Sequence, residues 1–376
     1  MKEINLGRVL IENRHKRGIT QDELAAYMGV SKAAVSKWET GSTYPDIAFL
    51  PQLAMFFNIS IDELMGYEPQ MAKEEIRKLY QQLSFDFSSK PFHEVVGRCG
   101  EIVKKYYACF PLLYQIGSLY VNHHMLAPTK NEAEALLEEA IRLFKRVKEE
   151  TDDVDLAKQA LNMEALCLLS LNRPGDVLDL VGEPDFSMTS TEPLLASAYQ
   201  LLGNRKEARS ILQIGVYQHL VVLMNLMSIY LGLCLDDNIN FEETYQRAAS
   251  IIETFNLEKL HPSIVLSFYI SVAKGYMRLG NTEKALDLLK RYTDLATSDI
   301  YPLRLKGDQY FNLVDGWLED TLISGNDLPR NDTIIRSSIS RAVENGKEFV
   351  PLAENSHFRD IVQRLKAIEK DGNKLH

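Results

Sequence analysis

Between Gly18 and Gly41 the chain writes two short helices joined by a turn that leaves little choice of crossing geometry. Thr20 followed by Glu23 is a capping box, which satisfies two of the orphan amides at a helix start. Gly29 stops that helix where a left-handed residue is easiest, and Ser31 is a good cap for the next. Leu24, Ala25, Val30, Val35 and Trp38 fall at the positions that lock the pair together across the turn. Ala25 has to be small, because the second helix crosses close to the first there. With that face buried, Lys32, Ala33, Ser36 and Lys37 point outward.

The flanking residues extend this unit. Helical periodicity predicts helices over 4–17, 21–28, 32–39, 48–57 and 61–65. Ser60 with Glu63 is a second capping box, and Pro51 implies a late start or a bend in the fourth helix. Gly66 stops the fifth helix and Pro69 opens new sequence, so a first domain is placed at 1–68 and a second at 69–376. Residues 1–66 carry seven Lys and Arg against eight Asp and Glu, but Arg14, Lys16, Arg17, Lys32 and Lys37 bracket the turn.

These residues resemble the lambda-repressor-like, xenobiotic-response-element family of helix-turn-helix regulators over 4–65. The resemblance implies that the second helix of the pair enters the major groove of double-stranded DNA. Carried over position by position, Lys32, Ala33 and Lys37 stand where base-edge readers stand, and Ser31 and Ser36 reach phosphate or base. Gln21 matches a phosphate clamp, helped by the partial positive charge of its helix N-terminus. Ser42, Thr43 and Tyr44 follow as backbone contacts. No glutamine pair opens the recognition helix, so the operators of the phage repressors do not transfer.

Beyond residue 69 the pattern is helical throughout, with no sustained strand alternation; the expected fold class is all-α. Tyr199 to Ala208 and Tyr276 to Leu286 both read as a helix ending at Gly, an Asn-capped turn and a second amphipathic helix. Candidate capping asparagines at 131, 172, 204, 240 and 281 bracket the roughly 34-residue tetratricopeptide period. The region resembles tetratricopeptide repeats or their irregular relatives, an α-solenoid whose stacked pairs share one core; an irregular bundle is the alternative. Asn122, Asn162 and Asn225 interrupt apolar runs. They either bridge neighbouring repeats or line a concave groove, where each amide can pair with a peptide backbone.

A repressor-type domain followed by such repeats resembles the peptide-pheromone-responsive regulators of Gram-positive bacteria. That architecture implies a homodimer that binds an operator and is gated by a short signalling peptide. Two alternatives stay open: repeats that only dimerise or dock another protein, and an antitoxin-like scaffold with vestigial DNA binding. The net charge of −10 argues against a protein that coats nucleic acid non-specifically. Cys99, Cys109, Cys167 and Cys234 are widely spaced and read as reduced core thiols. No phosphate-binding glycine motif, zinc spacing or nucleophile triad occurs, so no enzyme, cofactor or metal is expected. No apolar run is expected to span a bilayer and no secretory leader is read, which points to a cytoplasmic protein.

Overall fold

The computed structural model describes residues 6–66, 71–183, 190–321 and 329–372, and every regular element in them is helical. The chain divides into two compact units, one of residues 1–72 with 98–113 and one of 73–97 with 114–376. The expected boundary at 68/69 lies outside the described residues.

The first unit opens with α1 (Leu6–Lys16), α2 (Gln21–Met28), α3 (Lys32–Glu39), α4 (Leu50–Phe57) and α5 (Ile61–Met65). Both capping boxes form, Thr20 on Glu23 and Ser60 on Glu63, and the Ser31 hydroxyl accepts from the Ala34 amide at 3.2 Å. Gly29 ends α2 with φ of 68°, a conformation that strains any residue with a Cβ. Pro51 sits in the first turn of α4 after a short 3₁₀ turn over Ile47–Phe49, so the helix does start late. Leu6, Leu10, Leu24, Ala25, Val35, Trp38, Leu53, Phe57 and Leu64 fill one core, with Val30 half-buried at its edge.

The second unit is built from longer helices that pack as antiparallel neighbours. Four pairs carry it: α9 (Lys130–Glu150) with α10 (Val154–Ser170), α12 (Glu192–Leu201) with α13 (Arg205–Leu233), α16 (Pro262–Arg278) with α17 (Thr282–Ala296), and α19 (Asp332–Glu344) with α20 (Ser356–Gly372). Between and around them lie α6 (Lys73–Ser89), α11 (Pro174–Val181), α14 (Asn238–Thr254), α15 (Leu257–Leu260) and α18 (Asp315–Thr321), while α7 (Phe92–Lys105) and α8 (Phe110–His123) each have residues in both units. Residues from α13 to α20 share one continuous apolar core, as stacked helix pairs require.

The local chemistry of the pairs differs from the expected asparagine capping. Asn281 does cap α17, its Oδ1 accepting from the Lys284 amide at 3.1 Å. Asn204 stands at the cap of α13 without a side-chain bond, and Thr129 and Asp237 cap α9 and α14 in place of Asn131 and Asn240. Asn172 instead takes a left-handed turn conformation before α11. The repeat is therefore carried by helix lengths and apolar faces rather than by one conserved cap.

The expectation that no apolar segment reaches span length is corrected by α13. By length and composition it is long and apolar enough to cross a membrane, and only 28% of its most apolar window is buried. Scattered Gln213, Gln218, His219 and Asn225 disguise that run in the sequence. One face of α13 (Tyr217, Leu220, Met224 and Leu231) is buried in the unit's core.

Candidate nucleic-acid interface

The outward face of α3 is set by what its inward face must bury. Val35 and Trp38 point into the core, and Glu39, one register step further along the same face, is buried with them. A buried carboxylate requires partners. Arg14 supplies them from α1: its Nε meets Glu39 Oε1 at 2.6 Å and its Nη2 meets Oε2 at 3.1 Å. Gln21 adds a third bond, its Nε2 donating to Glu39 Oε2 at 2.8 Å. Burial pushes the Glu39 carboxyl up, but the Arg14 and Gln21 hydrogen bonds and the Arg14 charge outweigh it and hold the group below its ordinary range. The network ties α1, α2 and α3 together beneath the exposed surface.

Above it, Lys32, Ala33 and Lys37 are exposed and Ser36 is half-buried, all on the first two turns of α3. Ser31 is exposed but already serves as the cap. Lys32 Nζ contacts Asp22 Oδ2 at 2.6 Å across the turn, so this cation is paired in the free protein. The loop after α3 is held against the helix end, with the Ser42 and Thr43 amides donating to the Lys37 carbonyl at 2.9 and 3.3 Å. Ser42, Thr43 and Tyr44 are exposed on it. Nine residues singled out in the sequence thus gather around the α2–α3 pair.

Two placements differ in detail from the expected chemistry. Arg14 does not contribute a free positive charge beside the turn, because its guanidinium is spent on Glu39. Gln21, expected as a phosphate clamp, has its amide NH₂ engaged by Glu39. Sequence reasoning missed the Arg14–Glu39–Gln21 network, although its signal was present. Glu39 lies four residues after Val35 and Arg14 four after Leu10, each on a buried helix face.

The helix-turn-helix family model matches residues 10–64. These residues are a helix-turn-helix domain. Two curated relatives match part of the chain. The HTH-type transcriptional activator BcrR of Enterococcus faecalis is 34% identical over 76 residues, covering 19% of this chain and 37% of that protein. The HTH-type transcriptional regulator ImmR of Bacillus subtilis (strain 168) is 33% identical over 72 residues, covering 19% and 57%. The chain thus spans about a third to somewhat over half the length of these relatives. Among solved structures, Bacillus thuringiensis PlcR in complex with the peptide PapR7 and DNA aligns with 78% of this chain and 94% of its own, at 16% identity and a TM-score of 0.32. The apo form of ComR from S. thermophilus aligns over 78% and 94%, at 14% identity and a TM-score of 0.25.

The asparagines singled out in the second unit do not share one environment. Asn122 is half-buried on α8, donates to the Ser118 carbonyl at 2.9 Å and borders a cavity of about 340 Å³. Asn162 and Asn225 are exposed and lie outside that cavity's lining. They interrupt apolar runs because they occupy the solvent face of α10 and α13, not because the core needs their amides.

Proposed function

We propose that this chain is a sequence-specific, dimeric transcription regulator whose helix-turn-helix domain reads double-stranded DNA through α3. The observation that carries this reading is the exposed face of α3, where Lys32, Ala33 and Lys37 lie on a helix anchored from below, Lys32 in an exposed pair with Asp22. Lysine donates to guanine O6 or N7, and the Ala33 methyl suits a thymine methyl. Ser31, Ser36, Ser42, Thr43 and Tyr44 would position the helix on phosphates without specifying sequence. Both curated relatives are HTH-type transcriptional regulators, which supports the same role. Such a protein works where the chromosome is, in the cytoplasm.

Dimerisation is proposed through the free face of α13. Val222, Leu226, Ile229 and Leu233 form one exposed stripe, Leu226 at 60%, Ile229 at 67% and Leu233 at 74% exposure. A contiguous apolar patch of this kind marks an interaction surface. A second copy is the occupant that doubles the few base contacts one domain makes. In light scattering the wild type should be a dimer and the Leu226→Lys/Ile229→Lys variant a monomer; a wild-type monomer, free and on DNA, overturns this.

Gating by a short peptide is the third element of the proposal, supported by the cavity that Asn122 borders in the second unit. The whole reading is tested by retaining sheared genomic DNA on the purified protein and sequencing what stays bound. Enriched fragments should bind with an affinity that falls steeply between roughly 50 and 200 mM salt, from displaced counterions. No enrichment over competitor DNA overturns the function.

A further inference from the structure

The cavity beside Asn122 is one of two that share part of their lining. The first, about 340 Å³, and a second of about 270 Å³ share Leu303, Pro329, Arg330 and Ile335. Arg330 is half-buried, and no described residue forms an ion pair or hydrogen bond with its guanidinium. Burial draws its pKa below the usual arginine value, with only the Tyr80 hydroxyl opposing that pull. The contrast with Arg336, a few residues on, is informative. That side chain has Asp332 at 2.6 Å and lies over the Tyr301 ring at 3.7 Å. The fold thus compensates one guanidinium of this segment and leaves the other facing a cleft.

The surroundings of Arg330 are organised rather than loose. The Ser84 hydroxyl donates to the Pro329 carbonyl at 3.0 Å and the Tyr80 hydroxyl donates to it at 3.3 Å, pinning the backbone just before Arg330. Asn122 in turn donates to the Tyr80 oxygen at 3.4 Å. His123 beside them is held neutral by burial, its pKa drawn down to about 4, which leaves Arg330 as the charged side chain lining both cavities, with Arg304 and Asp332 on the second alone. Asp332, which borders the second cavity, is already neutralised by Arg336. The first cavity adds an apolar floor from Leu266, Ile270 and Ile339, with hydroxyls at Ser263, Ser267 and Ser338.

We infer that this cleft receives a carboxylate on an apolar body, namely the free C-terminal end of a short peptide whose carboxylate pairs with Arg330. The inference rests on the peptide-gated reading above and names the chemistry of the ligand's end. A half-buried cation with no partner among the described residues is costly, and a carboxylate matches the guanidinium fork with two parallel hydrogen bonds. The volume suits one or two apolar residues, so the cleft reads the terminus and not the whole peptide. A fatty acid offers the same chemistry without an amide for the serines to bond.

Calorimetry on the full chain separates the sources with three probes: N-acetyl-Leu-Leu as the free acid, its C-terminal amide, and octanoate. The acid should bind at least tenfold more tightly than either of the others, and Arg330→Gln should abolish that preference. Ile270→Trp, which fills the floor and leaves Arg330 in place, should block the acid as well. Circular dichroism establishes that each variant is folded. Equal binding of acid and amide, no binding of the acid, a preference that survives Arg330→Gln, or octanoate binding as tightly as the acid would each overturn the inference. Retention of genomic fragments by the same preparation is scored separately. Lost discrimination with intact DNA binding refutes the cleft alone, whereas lost DNA binding refutes the regulator.

Discussion

Arg14 grips Glu39 with two parallel bonds, at 2.6 and 3.1 Å, on a carboxylate that is only 7% exposed. The pair joins the end of α1 to the end of α3, so the orientation of the proposed recognition helix depends on it. Removing one partner of a buried pair strands the other charge, which costs more than the pair itself contributes. Arg14→Ala should therefore destabilise the helix-turn-helix domain by about 3–5 kcal/mol. Urea unfolding followed by Trp38 fluorescence, in a Trp317→Phe background, checks this. A loss below about 1 kcal/mol would mean that the pair is no anchor.

The same junction explains Gly7. A Cβ built there would lie 2.6 Å from the Glu39 carbonyl oxygen and 2.8 Å from that of Trp38. Both obstacles are backbone, so α1 would have to move off α3. Gly7→Ala, although it improves helix propensity, is expected to destabilise by about 1–3 kcal/mol. Thermal unfolding that shows stabilisation instead would place α1 further from α3 than described.

On the DNA side, Lys37→Ala should weaken binding to an enriched fragment by roughly 1–3 kcal/mol without unfolding the protein. Lys32→Ala should cost less than Lys37→Ala, because Lys32 must first leave Asp22. Asp22→Asn should then tighten binding, since it frees Lys32 and removes a negative charge near the phosphates. Mobility-shift titrations of the three variants decide this. Unchanged affinity in both lysine variants would remove α3 as the reading element. Gln21→Ala is expected to weaken all sequences alike, as a positioning contact should.

Acid should loosen the second unit. Burial draws His123 and His261 each down to about 4 in the folded chain, while the unfolded chain takes up those protons near 6.5. Between these values protons bind the unfolded state preferentially, so stability is full above pH 6.5 and falls as pH drops toward 4. The loss amounts to something on the order of 3 kcal/mol for each histidine. Urea midpoints measured from pH 7 to pH 4.5 should decline accordingly. His261→Asn, which keeps a cap acceptor for the Ile264 amide at the start of α16, should flatten part of the slope. A flat profile in the wild type would show that both rings are solvated.

The helix-turn-helix unit was legible because its signals are local. A capping box, a left-handed glycine and an apolar stride of three and four act within one or two turns, so α2, α3 and α5 begin and end where their residues require. The outward register of Lys32, Ala33 and Lys37 follows from that stride alone. The helical character and pairwise stacking of the second unit were legible for the same reason. What the tertiary structure decided is which polar groups find one another. Asn122, Asn162 and Asn225 read alike as amides interrupting apolar runs, yet the packing of α10 and α13 leaves Asn162 and Asn225 exposed, while Asn122 meets Tyr80 from a helix 42 positions away. Arg14 counted among the basic residues that bracket the turn until the fold placed Glu39 beside it. Arg330 shows no periodicity at all; its lack of a partner among the described residues is a property of the helices that surround it. Charge pairing and cavities depend on distances between segments far apart in the chain, and those distances are set by how whole helix faces pack.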